Sequence, residues 1–313
     1  MEENFFKGVV TPMVTPFQAD GSLDLPALET FSNWLCTRET DILFPMGGTG
    51  EYQTLEVEER KDIIRTVVAA VEKRKKVVPG VGGKNLRETL VLVEEAQKVG
   101  ADGVSVVIPT DLSEFSRDLG TYYGKAKNDF ETLFQYFRKI DRELDVPFMI
   151  YDSHGQLTEP QMREFVAELP HFKGIKYRTA NEQDFGEIVW ASGGTVNILS
   201  GIEYTYLGNL AMGATGVVGG GANYFPHLMA RLKREFEAGQ IENARNTQFL
   251  LIAAGKSMKG LSWPMSAKII LRKLGLPIQL VTRVKNKPHT EAREQQMLDF
   301  ILPLCQSQTE ENR

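Results

Sequence analysis

The chain has 313 residues, of which 42% are hydrophobic and 25% are charged, and its formal net charge is −5. This composition is typical of a globular protein with a sizeable core, and the negative charge argues against nucleic acid as a partner. The acidic start MEENFFKGVV lacks the layout of a secretion signal, and no run of about 18 apolar residues predicts a membrane span. Cys36 and Cys305 lie far apart in the sequence, so we expect a cytoplasmic protein without a disulfide framework.

Short apolar runs alternate with longer amphipathic runs from the start of the chain to about residue 238. The strand-like runs are, in chain order, VVTPMVTPF (9–17), DILFPMG (41–47), KVVPGVGG (76–83), GVSVVIP (103–109), PFMIYD (147–152), FKGIKY (172–177), VNILSG (196–201) and TGVVGGG (215–221). Between them, segments such as NLRETLVLVEEAQKVG repeat apolar residues at three- and four-residue spacing, which predicts helices covering a sheet. Eight such α/β units in roughly 240 residues predict parallel strands closed into a (β/α)8 TIM barrel. The rival fold, an open doubly wound sheet, usually carries a glycine fingerprint that VVTPMVTPF lacks.

Two further segments complete the predicted architecture. Residues 239–313 contain three helical patterns, so we predict a barrel over residues 1–238 followed by a C-terminal three-helix extension. The connection between residues 110 and 130 is much longer than is usual in such folds. This length is typical of a lid over an active site, and a surface excursion or a subunit contact would account for it equally well.

Three features fall where predicted barrel strands end, which is where a TIM barrel carries its active site. They are the segment GGTGE (47–51), Tyr151 on the fifth strand and Lys176 on the sixth. In FKGIKY, Lys176 alternates with its neighbours and is predicted to share a buried face with Phe172 and Gly174. Burial lowers the pKa of an amine, and a neutral amine attacks a ketone to form an imine. Taken singly, the lysine could instead pair with a buried carboxylate, and the tyrosine could be a packed ring.

The GGTGE segment is predicted to bind an anion. Glycines on both sides of Thr49 allow a tight turn with successive N–H groups directed inward, which suits a carboxylate. A helix start follows at LEVEE (55–59), and its dipole adds to the attraction. The segment is not a P-loop, because no Gly-Lys-Ser/Thr follows, and an ordinary strand-to-helix turn remains the alternative.

The histidines argue against a metal site. The four of them are His154, His171, His227 and His289. They are scattered along the chain without the spacing of metal ligands.

In combination, the motifs resemble those of the dihydrodipicolinate synthase and N-acetylneuraminate lyase family. They are VTPF (14–17), GGTGEYQTL (47–55), a strand-end tyrosine at 151, GIK...T (174–179), SGIE (200–203) and GATGVVGGGAN (213–223). The resemblance covers nearly the whole chain. It implies a (β/α)8 barrel assembled as a homotetramer or dimer, class I Schiff-base lyase chemistry on 2-keto acids, and no metal or organic cofactor.

The same resemblance implies roles for individual residues. Lys176 would form the imine, Tyr151 would move protons, and Thr49 would join them as a catalytic residue. The substrate-binding residues would be Gly47, Gly48, Thr49, Thr179 and Val218, with His154, Gln156 and Arg178 as candidates for the far end of the substrate.

The chain departs from the synthase pattern at three places. Gly48 stands where the family turn has a hydroxyl, Thr110 and Asp111 stand where a second relay tyrosine is expected, and Gln156 stands near an expected arginine. We therefore expect a lyase acting on pyruvate or a 2-keto(-deoxy sugar) acid, by aldol cleavage, condensation or dehydration, rather than a true dihydrodipicolinate synthase. The alternatives are a repurposed barrel that senses a 2-keto acid and, more distantly, a metal-dependent aldolase.

Overall fold

A computed structural model describes residues 5–109, 112, 130–286, 288 and 290–306. Its sheet contains eight parallel strands: β1 (Gly8–Pro12), β2 (Ile42–Phe44), β3 (Lys76–Val77), β4 (Val104–Val107), β5 (Phe148–Asp152), β6 (Phe172–Tyr177), β7 (Asn197–Ser200) and β8 (Gly216–Val218). The strands pair in chain order, and β8 pairs with β1. Beyond the end of β3, Val81 N–H donates to the Ser105 carbonyl of β4 at 2.8 Å, and Ser105 N–H donates to the Pro79 carbonyl at 2.8 Å. These bonds close the sheet, so the predicted (β/α)8 barrel is confirmed.

Eight helices of the described chain follow the strands, and three more follow the barrel. They are α1 (Leu25–Cys36), α2 (Val57–Val71), α3 (Leu86–Lys98), α4 (Phe130–Asp141), α5 (Glu159–Glu168), α6 (Glu182–Ala191), α7 (Tyr206–Ala211), α8 (Pro226–Glu237), α9 (Ile241–Ser257), α10 (Trp263–Lys273) and α11 (Glu291–Gln306). Local sequence fixes several starts: the Asp24 side chain accepts the Ala27 N–H at 3.1 Å, and the Asn85 side chain accepts the Glu88 N–H at 3.0 Å. The predicted lid at 110–130 lies outside the described residues, apart from Leu112 and Phe130.

The core has two parts. A small cluster fills the barrel: Phe6, Val10, Ile42, Phe44, Val78, Met149, Leu199 and Val218. A larger cluster lies between the strands and the helices, and includes residues of α9, α10 and α11. Because strand side chains alternate between these two cores, a polar residue on the inward face meets the first cluster. Tyr151 is such a residue, since it packs against the inner cluster.

The predicted face of β6 is wrong in one respect. Pairing with β5 shifts between Phe148↔Phe172 and Met149↔Gly174, so Lys173 is an extra residue in the strand. Phe172 consequently lies in the outer cluster, with its ring 5.6 Å from that of Phe148. Gly174 faces inward, since a Cβ built on it would lie 2.6 Å from the Phe6 ring. The irregularity puts Phe172 outside while leaving Gly174 and Lys176 inside.

The C-terminal helices share the outer core with the barrel, and the division of the chain at residue 238 stays a prediction. Within the described part of the chain, none of the helices combines the length and the apolar character needed to cross a membrane.

Candidate active site

Lys176 and Tyr151 lie side by side at the C-terminal end of the barrel. They are register partners on β6 and β5, and the Lys176 Nζ lies 4.1 Å from the centroid of the Tyr151 ring. The lysine is 7% exposed, and Tyr151 is half-buried. The Phe44 ring meets Tyr151 edge to face, with centroids 6.3 Å apart. These contacts hold the phenol against the amine.

The environment of Lys176 favours its neutral form. Burial, together with the positive charge of Arg178, lowers the pKa of this amine from 10.5 to about 7, and Glu203 opposes the shift. At pH 7 about half of the amine is therefore unprotonated, against roughly one part in three thousand for an exposed lysine. Such an amine is able to act as a nucleophile at neutral pH.

Glu203 is a buried charged neighbour of Lys176 that the sequence did not predict for the site, although its motif SGIE was noted. It follows β7 and is buried, and its Oε2 accepts the Gly221 N–H at 3.0 Å. Burial raises the pKa of this carboxyl to about 7, and the positive charge of Lys176 opposes that rise. The amine and the carboxyl thus titrate in the same range. A glutamate at a strand end does not by itself predict a site residue, because the sequence does not show that it lies near Lys176.

The GGTGE turn (47–51) reaches the same centre from β2. Gly48 is close to the phenol, since a Cβ built on it would lie 3.5 Å from the Tyr151 Oη. The N–H groups of Gly48 and Thr49 donate no hydrogen bond to any residue that the structure describes, and Thr49 is half-buried. At Gly50 a Cβ would lie 2.8 Å from the Met13 carbonyl, so only glycine fits there. The geometry thus leaves two adjacent donors open beside the tyrosine, while Gly47 is buried behind them.

The remaining predicted residues divide into two groups. Val218 ends β8 inside the barrel, and the exposed Arg178 follows β6 closely enough for its charge to act on Lys176. Thr179 instead accepts the Asn181 N–H at 3.0 Å, as a loop hydrogen-bonding residue. His154 is exposed, and its Nδ1 lies 2.7 Å from the Ser153 hydroxyl. The structure therefore brings Val218 and Arg178 to the centre, and assigns Thr179 and His154 no contact with Lys176.

His154 lines a neighbouring cavity of about 330 Å³. Its wall consists of Tyr52, Gln53, Leu55, Arg60, Gly82, Gly83, Lys84, Glu88, Val107, Ile108, Pro109, Ser153 and His154. Tyr52, Arg60, Gly82 and Val107 also line a water-sized space against Tyr151. The cavity therefore adjoins the phenol side of the site.

Among the described residues, no cluster of three or more His, Cys, Asp or Glu side chains has the geometry of a metal site.

Comparisons with known proteins agree on one family. Residues 5–302 match the dihydrodipicolinate synthetase family. A 4-hydroxy-tetrahydrodipicolinate synthase from Thermodesulfovibrio yellowstonii is 30% identical over 312 residues, which are 98% of this chain and 96% of that protein. The dihydrodipicolinate synthase structure from Aquifex aeolicus is 27% identical, with a TM-score of 0.84, over 95% of this chain and 98% of that one. YagE, a prophage protein of the same family from Escherichia coli K12 solved with pyruvate, is 25% identical, with a TM-score of 0.84, over 96% and 99% of the two chains.

The expectation of a lyase other than dihydrodipicolinate synthase finds no support in these comparisons. The Thermodesulfovibrio and Aquifex proteins both carry the synthase name.

Proposed function

The chain belongs to the dihydrodipicolinate synthetase family and is a class I lyase, and we propose that Lys176 forms its Schiff base with pyruvate or a related 2-keto acid. The observation that carries the proposal is the buried amine, with a pKa lowered to about 7 and its Nζ 4.1 Å from the ring of Tyr151. YagE, of similar fold, has been solved with pyruvate, which supports the choice of ligand.

In the proposed mechanism, the neutral Lys176 Nζ attacks the keto carbon. The carbinolamine that results loses water, and the protonated imine then withdraws electrons from the adjacent carbon. Tyr151, whose ring centroid lies 4.1 Å from Lys176 Nζ, would donate and accept the protons of these steps, each commonly worth roughly 10²- to 10⁴-fold in rate. No metal or organic cofactor takes part in these steps.

The substrate carboxylate is proposed to bind at the GGTGE turn. The N–H groups of Gly48 and Thr49 make no other hydrogen bond within the described chain, and Thr49 adds a side-chain hydroxyl to the same turn. Two backbone donors and a hydroxyl suit one carboxylate. Val218 would line the opposite wall and Arg178 would meet the far end of the substrate, with Thr179 and His154 further out. The imine is common to aldol cleavage, condensation and loss of water, so the groups that hold the far end of the substrate decide which reaction follows.

Two broader expectations belong to this proposal. The free cysteines Cys36 and Cys305 support a location in the reducing cytoplasm. Assembly as a homotetramer or dimer is expected from the family, although one of the similar structures is described as the first monomeric dihydrodipicolinate synthase variant.

Reductive trapping tests the proposal. The protein is incubated with pyruvate or with a panel of 2-keto sugar acids, reduced with cyanoborohydride, and mapped by peptide mass spectrometry. We expect one adduct, on Lys176, and none in Lys176→Met; an adduct on another lysine would overturn the assignment.

Turnover separates an enzyme from a sensor. We expect conversion of at least one keto acid, alone or with an aldehyde that carries a carboxylate, and no loss of activity on treatment with a chelator. Adduct formation without any conversion across the panel would favour the sensor, and loss of activity with the chelator would favour a metal-dependent aldolase.

A further inference from the structure

The last residue of the GGTGE turn is bound by the C-terminal extension, the part of the chain after α8. Glu51 and Lys268 of α10 form an ion pair with both side chains fully buried, and Lys268 Nζ lies 2.8 Å from Glu51 Oε1. The other carboxylate oxygen, Oε2, accepts the N–H groups of Arg283 at 2.7 Å and Val284 at 3.0 Å. All three of these donors come from one part of the chain, more than 200 residues away from the turn in sequence.

The donors are themselves held in place. Lys268 Nζ also donates to the Val281 carbonyl at 2.6 Å, which joins α10 to the segment 281–284. The Arg283 guanidinium binds both carboxylate oxygens of Glu59, at 2.5 and 2.7 Å, and the Thr54 carbonyl at 3.0 Å. The segment 281–284 therefore connects the GGTGE segment to the N-terminal end of helix α2.

The turn needs such support. Glu51 adopts φ 57° and ψ 32°, the left-handed conformation that non-glycine residues avoid. Its N–H donates to the Gly48 carbonyl at 3.1 Å, so a shift of the Glu51 backbone would displace Gly48, whose own N–H makes no hydrogen bond to the described residues. On the barrel side, the Thr15 hydroxyl donates to the Gly50 carbonyl at 2.7 Å.

We propose that Lys268 is a positioning residue for the carboxylate site: through Glu51 it fixes the backbone donors of Gly48 and Thr49, so the extension completes the active site of the same chain. This inference rests on the proposed function. Lys268 itself does not touch the substrate, and the imine chemistry at Lys176 does not depend on it.

The expected signature is a loss of affinity without a loss of chemistry. In Lys268→Met the dissociation constant for pyruvate should rise between about 10- and 100-fold, since a displaced turn no longer aligns its donors. The rate of trapping on Lys176 at saturating pyruvate should stay within about twofold of wild type, because the amine keeps its own surroundings. Should Lys268→Met fail to fold, Glu51→Gln keeps one acceptor oxygen for the two backbone donors, loses the ion pair with Lys268 and carries the same test.

A matched control is available at the other end of the barrel. Glu235 of α8 is also a buried carboxylate that joins two helices: it accepts from Arg231 at 2.7 Å and from the Thr247 hydroxyl of α9 at 2.7 Å. It lies next to Arg234, which pairs with Glu39 ahead of β2, on the face away from the site. Glu235→Gln should lower the melting temperature and leave the affinity for pyruvate unchanged.

Hydrogen–deuterium exchange provides a readout that needs no ligand. Exchange in the peptide that contains the GGTGE turn should accelerate in Lys268→Met and not in Glu235→Gln. If exchange accelerates while the dissociation constant is unchanged, or if exchange is unchanged, the positioning role is refuted. If the wild type traps no keto acid, the proposed function fails instead, and exchange alone then decides whether Lys268 holds the turn.

Discussion

Replacing Glu203 with Gln should make Lys176 react at lower pH. Glu203 is the group that raises the pKa of Lys176 against burial and against Arg178, so its removal lowers that pKa below the present value of about 7. An opposite charge at close range shifts a pKa by roughly one to three units. Because the carboxyl itself titrates at about 7 and is ionised in only part of the molecules, we expect a downward shift smaller than about one unit.

The consequence is a modestly faster reaction near neutral pH. Glu203 acts on Lys176 only where the carboxyl is ionised, so trapping should accelerate by less than about twofold near pH 7, and by less still at pH 6, where the carboxyl is mostly protonated. Arg178 gives the opposite perturbation, because its charge lowers the pKa of Lys176. Arg178→Gln should therefore move the midpoint upward, and a raised ionic strength should reduce the effect because this side chain is exposed.

The assay is the initial rate of cyanoborohydride trapping with pyruvate, measured across a pH interval that brackets the wild-type midpoint of about 7. Adducts are mapped by mass spectrometry to confirm that Lys176 is the residue followed. A midpoint that rises in Glu203→Gln, or that moves in the same direction in both variants, would refute the electrostatic reasoning.

Three further outcomes are expected. Lys176→Met should be more stable than wild type at pH 7 by about 1–4 kcal/mol, as replacing a buried charged group often is. Since the folded lysine titrates at about 7 and the unfolded one at 10.5, the unfolded state binds more protons between these pH values, and the free energy of unfolding of the wild type therefore rises with pH there. Urea denaturation should show that the difference in unfolding free energy between Lys176→Met and wild type becomes smaller as the pH rises. A difference that stays constant would contradict the lowered pKa. Tyr151→Phe should keep the ring over the amine and lose about 10²- to 10⁴-fold in turnover measured with a converted keto acid, and unchanged turnover would remove the phenol from the mechanism. Thr49→Val should raise the KM for the keto acid by about tenfold at nearly constant kcat, and a fall in kcat alone would argue against a binding role.

Local sequence predicted the barrel and the strand-end residues well, because both depend on short-range patterns. Alternating strand and helix periodicities require parallel strands, and parallel strands place their C-terminal ends on one face. Lys176, Tyr151 and the GGTGE turn were predicted to converge, and the structure brings them together. The inward placement of Lys176 was also predicted, but the shared face with Phe172 was wrong, because the irregular pairing at Lys173 reverses the alternation.

What the sequence by itself determined was therefore the architecture and the position of the reactive amine. Only the tertiary structure decided what surrounds that amine and what holds the turn beside it. Glu203 acts on Lys176 from the neighbouring strand end, and Lys268 reaches Glu51 across 217 residues of sequence. Barrel closure and the docking of the extension create these pairs, and their charges interact strongly because burial removes the water that would otherwise screen them.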